Sequence, residues 1–180
     1  MAQAITLLRE TTFQSKEAAA ATRLYSVNLA LRGHRSPVCY SGIFDTNNVA
    51  TALKRKEDSA RRETHDIPTV IMFTITEETF ALIQPYISHQ YRTEPHSDYG
   101  YDGVRTFKDM YRSDDPTGPY TAVYGIDATV PNEVWDALDT KIGFLNPTTN
   151  TFDYTPYSEL RAQIEGQQKS LEGKPAPKER

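Results

Sequence analysis

Thr69-Val70-Ile71-Met72-Phe73-Thr74-Ile75, opened by Pro68, decides how this chain is read. A strand that faces water on one side alternates apolar with polar residues. Val70 to Phe73 is apolar without interruption, so both of its faces are covered and it reads as a central strand. Upstream, Asp45 or Thr46 caps a helix from Asn48 to Arg62. Its apolar residues, Val49, Ala52, Leu53 and Ala60, are few, so most of it faces water. Downstream, Thr76 caps a helix over Glu77 to Ile83, whose two leading acidic residues suit the helix dipole, and Pro85 ends or kinks it.

Further out the same logic places the remaining elements. Ile5 to Arg9 forms a short strand or a helical turn, and Ser15 caps a helix over Lys16 to Arg23. Tyr25, Val27, Leu29 and Leu31 alternate with Ser26, Asn28, Ala30 and Arg32, the pattern of a half-buried strand that Gly33 ends. Val38 to Phe44 is another short apolar piece. Tyr120 to Ala128 is a third strand. Pro131 stands at the first position of a helix over Asn132 to Leu138, with Trp135 as its core anchor. Ile142 to Leu145 is a strand closed by Pro147. Thr155 and Pro156 open a last helix through Glu165, with Leu160 and Ile164 four apart. Residues 166–180 read as a disordered polar tail. Strands separated by helices, with no glycine fingerprint of a βαβ unit, predict a single α+β domain over 1–165. Its sheet is small, mixed or antiparallel, and flanked by short helices.

The 180 residues fit one domain. Hydrophobic residues make up only 38%, but eleven Tyr and seven Phe bury much area per residue, so one core is within reach. The formal charge of -4 and pI of about 5.6 argue against a nucleic-acid partner, whose counterion displacement needs a basic stripe. The basic run Lys54, Arg55, Lys56, Arg61, Arg62 is interleaved with Glu57, Asp58 and Glu63 and reads as a solvated helix face. Cys39 is the single cysteine, so no internal disulfide forms. With Val38 and Tyr40 as neighbours it reads as a small buried hydrophobe rather than a nucleophile paired with His34. No apolar stretch approaches the ~20 residues of a membrane span, and no signal-peptide pattern opens the chain. The expectation is a cytoplasmic protein, or one delivered into a host cytosol.

Residues 89–118 carry the most informative composition. His89, His96, Asp98 and Asp102 fall there, but their spacing matches no metal motif, so no metal is expected. No phosphate-cradling glycine loop and no Gly-x-Ser-x-Gly elbow occurs in the chain, so no cofactor is read from motifs. The stretch is a long, mostly irregular loop, with a short helix over Val104 to Met110. Tyr91, Arg92, Tyr99, Tyr101, Arg105 and Tyr111 are the residue types that dominate binding surfaces. The loop therefore points to a protein-interaction or ligand-binding module of effector, accessory-subunit or inhibitor type, with a protein as partner.

A second reading comes from a resemblance. Leu31-Arg32-Gly33-His34-Arg35-Ser36-Pro37, then Ser41-Gly42-Ile43-Phe44, resembles the opening of the ADP-ribosyltransferase toxins. Phe73-Thr74-Ile75-Thr76 stands where that family has a strand carrying Ser-Thr-Ser. The resemblance implies NAD held in a cleft between two small sheets, Arg32 gripping its phosphates and Thr74 supporting the site. Glu159 or Glu133 would be the glutamate that stabilises the oxocarbenium-like ribose. The chain departs from the family in reading Thr-Ile-Thr for Ser-Thr-Ser, and in having no Glu-x-Glu or Gln-x-Glu before a late strand. Read from the residues alone, Arg32 ends a strand on its polar face, Thr74 belongs to a buried strand, Glu133 favours a helix dipole and Glu159 lies on a helix.

Overall fold

The structure is a computed structural model and describes residues 4–21, 24, 38–43, 49–62, 66–91, 104–111, 122–127 and 130–173. Its elements run β1 (Ala4–Phe13), α1 (Lys16–Ala21), β2 (Val38–Ile43), α2 (Val49–Ala60), β3 (Ile67–Thr76), α3 (Phe80–Ile83) and β4 (Ile87–Tyr91). They continue with a 3-10 helix (Phe107–Tyr111), β5 (Ala122–Ile126), α4 (Asn132–Ala137), β6 (Lys141–Asn146), β7 (Thr151–Pro156) and α5 (Tyr157–Gly173). The strands join in one seven-stranded sheet of order β4-β5-β2-β1-β3-β6-β7. Every pairing is antiparallel. The class is α+β, as the pattern predicts. No helix among the described residues is long and apolar enough to cross a membrane.

The longest ladder joins β1 to β3, from Ala4 opposite Thr76 to Phe13 opposite Ile67. Alternation along it loads both faces. Ile5, Leu7, Phe13, Ile71, Phe73 and Ile75 enter the main core, shared with Ala19, Phe80, Trp135, Tyr157 and Leu160 from α1, α3, α4 and α5. Leu8, Val70 and Met72 turn the other way, towards α2. The uninterrupted run Val70 to Phe73 thus serves two cores, as a doubly covered strand must. α2 buries only Ala52 and Ala60, and side chains this short let the helix lie close to the sheet. Trp135 fills the opposite layer, with its ring 5.2 Å from Phe73 and 6.3 Å from Tyr40 between centroids.

Ser15 caps α1, its Oγ accepting the Ala18 N–H at 3.0 Å. The helix after β3 starts later than the sequence predicts, at Phe80. Thr76 and Thr79 bond reciprocally, each hydroxyl accepting the other's backbone N–H at 3.3 and 2.9 Å, and this holds Glu77 and Glu78 in a turn. Three further expectations change. Residues 89–91 belong to β4 rather than to a loop. Thr151 to Pro156 is a strand, its Phe152 and Tyr154 facing α2's side of the sheet. The last helix runs past Glu165 to Gly173, so 166–173 is helical, and Gly166 sits in open space where its missing side chain costs no packing. The expected strand over 25–32, the caps at Asp45 or Thr46 and residues 174–180 lie outside the described residues.

Gly143 marks the closest fit in the sheet. It pairs with Tyr154, and a Cβ built on it would stand 2.5 Å from Tyr154 Cε1. The ring is held there because its hydroxyl donates to Glu57 Oε2 on α2 at 2.6 Å. Burial, then that carboxylate, push the phenol above its ordinary range, so it remains a donor. Gly143→Ala is expected to cost about 1–3 kcal/mol in chemical denaturation, through overpacking. In a Tyr154→Ala background the same substitution should cost nothing. An equal cost in both backgrounds would show that the ring is not the obstacle.

Candidate functional site

Only some of the residues singled out from sequence are among the described residues. Arg92, Tyr99 and Tyr101 lie outside the described residues, as do His34, His65, His96, Asp98, Asp102 and Arg32. Tyr91 ends β4 and Tyr111 ends the 3-10 helix. His89 lies within β4, opposite Gly125. No group of three His, Cys, Asp or Glu able to hold a metal occurs among the described residues. Thr74 is half-buried on β3 and its N–H donates to the Leu138 carbonyl at 3.1 Å. Glu133 and Glu159 are exposed in the first turns of α4 and α5, helices clamped together by Arg161 on Asp136 at 2.9 and 2.6 Å. The described strands make one continuous sheet, whereas the resemblance implies two small sheets with a cleft between them.

Within 89–118, residues 104–111 form a fixed ledge. Asp109 Oδ2 accepts the N–H groups of Arg105 and Thr106, both at 2.9 Å, and so closes the turn that starts the 3-10 helix. Val104 and Met110 are buried at its two sides, and the Phe107 ring lies 6.2 Å from that of Phe80. The Tyr124 hydroxyl donates to the Met110 carbonyl and ties the ledge to β5. Arg105 is exposed between these anchors. The short helix expected over Val104 to Met110 is therefore present as a 3-10 helix over Phe107–Tyr111, starting three residues later.

Three features are not visible in the sequence. A charged residue, Arg9, is buried at 9% exposure, with its Cζ 5.9 Å over the Tyr40 ring. Cys39, expected to be buried, is exposed, because alternation along β2 sends Val38 and Tyr40 into the core and Cys39 outward. Partial burial still pushes its thiol up, against the pull of Arg9 and Lys56, so it is not primed as a thiolate. A cleft of about 380 Å³ also lies between α5 and the β6–β7 hairpin, with Lys16 Nζ 5.6 Å from the centroid of the Phe144 ring on its floor.

No family model matches the chain, and neither a curated protein nor a solved structure is significantly similar to it.

Two outcomes follow from this geometry. Asp109→Ala should cost about 1 kcal/mol of stability by removing a cap, and amide exchange should quicken at residues 105–110 first. Unchanged exchange there would mean that the carboxylate does not hold the ledge. Cys39 should react with a disulfide reagent at pH 7 more slowly than an unstructured cysteine peptide, because a raised pKa leaves less thiolate. A faster reaction than the peptide's would contradict the direction of that shift.

Proposed function

We propose that the chain is a protein-binding module whose contact surface is built on residues 89–118. Tyr91, Arg92, Tyr99, Tyr101, Arg105 and Tyr111 are its contact side chains. The observation that carries this reading is the ledge at 104–111. Ordering a loop on binding costs free energy, so a surface pinned before the partner arrives binds more tightly. Here Val104, Met110 and the Asp109 cap bear that cost in the free protein and present Arg105, a residue type favoured at interface hot spots.

A photoreactive amino acid placed at position 105 tests the proposal, with position 54 on α2, which covers the other face of the sheet, as control. In extracts of the cells that make the protein, position 105 should give one dominant adduct and position 54 none. The protein identified should lose about 2 kcal/mol or more of binding free energy when Tyr99 and Tyr101 are both changed to alanine. Equal adducts at both positions, or an unchanged affinity of the double variant, would overturn the assignment.

A further inference from the structure

The main core holds a cluster of donors with no anion beside it among the described residues. Arg9 projects from the middle of β1, and its Nη1 donates to the Leu24 carbonyl at 3.3 Å. Its Nη2 reaches Thr11 Oγ1 only at 3.5 Å, a long and weak contact. No carboxylate among the described residues pairs with it. The adjacent Glu10 is committed elsewhere, bound to Lys56 of α2 at 2.8 Å. Under the guanidinium lies Tyr40, and beyond Tyr40 lies Trp135, with their rings 6.3 Å apart. Tyr40 is 0% exposed and Trp135 2%, yet among the described residues neither the Tyr40 hydroxyl nor the Trp135 indole N–H finds an acceptor, the Tyr40 oxygen facing the Arg9 guanidinium.

Each of these groups is costly alone. A buried cation without a counter-charge loses its hydration with little return, and a buried donor without an acceptor forfeits a hydrogen bond that water had supplied. Together they share one deficit, negatively charged oxygen. Their donor types also match a single kind of acceptor. A guanidinium offers two parallel N–H groups to a carboxylate or phosphate, and neighbouring hydroxyl and indole donors can take the remaining lone pairs. Arg9 is oriented for this from behind. Leu24 adopts a left-handed backbone conformation at φ 69°, strained for a non-glycine residue, and its carbonyl is the one that holds Nη1. Of the three, Arg9 keeps the largest exposure.

We propose that Arg9, Tyr40 and Trp135 form the binding centre for an oxyanion, the carboxylate or phosphate group of a small ligand. The site is separate from the 104–111 ledge, and its existence does not depend on the protein-binding reading above. A structural alternative exists in which Arg9 serves only to brace Leu24 and Tyr40, and it makes a different forecast for added anions.

Thermal unfolding of the full chain in chloride, and at equal ionic strength in inorganic phosphate or in succinate, separates the two. The wild type should gain about 5 °C or more at saturating concentrations of at least one of these anions. Arg9→Met should lose that gain. Comparing variants in the same buffer removes the general stabilisation that excluded anions give any protein. Tyr40→Phe should fold and show a smaller gain than the wild type. A wild type that shows no gain with either anion overturns the proposal, and so does a gain of equal size in Arg9→Met, which would place the anion elsewhere. Should Arg9→Met fail to fold, Tyr40→Phe decides, and a gain as large as the wild type's counts against the proposal. Phosphate without succinate, or the reverse, supports the site and assigns the ligand's charged group.

Discussion

The antiparallel ladder between β1 and β3 is the constraint on which the rest of the structure depends. Ten residues of each strand pair without a bulge. Because side chains alternate with a period of two, that register decides every face at once. A slip of β1 by one residue would turn Ile5 and Leu7 away from the main core and push Glu10 into it. In the register that forms, Glu10 meets Lys56 on one side and Arg9 meets Tyr40 on the other. Apolar content on both faces then calls for a layer on each, which among the described helices α2 supplies on one side and α1, α3, α4 and α5 together on the other.

Much of this was legible in the residues. Val70 to Phe73 announced a doubly covered strand because no polar residue interrupts it. Ser15, Pro131 and Trp135 announced a cap, a helix start and a core anchor because each has one strong local role. What escaped reading depends on partners distant in sequence. β7 alternates Phe152 and Tyr154 with Thr151, Asp153 and Thr155, but its apolar face is completed only by α2. The turn at 76–79 hid because a threonine before two glutamates looks the same whether it caps a helix or closes a turn with a second threonine. Cys39 was a readable case missed, since its neighbours Val38 and Tyr40 share the opposite face of the strand. Arg9 was not readable. An arginine in a strand normally marks the solvent side, and only the assembled sheet shows that its face is the core's.

The two regions proposed to bind partners are joined through one cross-strand pair. Tyr40 on β2 stands opposite Tyr124 on β5. Tyr40 lies under the Arg9 guanidinium, while Tyr124 holds the Met110 carbonyl and with it the ledge. The donor cluster and the proposed contact surface thus rest on neighbouring residues of the same face, although their chemistry differs. The sequence pointed to the second region through its tyrosines and arginines. Among the described residues, Arg105 is one that the structure places on the capped turn before the 3-10 helix.

Native-state amide hydrogen exchange, read strand by strand, tests the account most directly. If the β1–β3 ladder organises the fold, amides of Ile5 to Thr12 and Val70 to Ile75 should exchange only through global unfolding and share its free energy. β4 and β7, at the ends of the sheet order, should open earlier. Exchange from β1 and β3 that is as fast as from those edge strands would contradict the account, because the ladder would then be a consequence of the surrounding layers rather than their foundation.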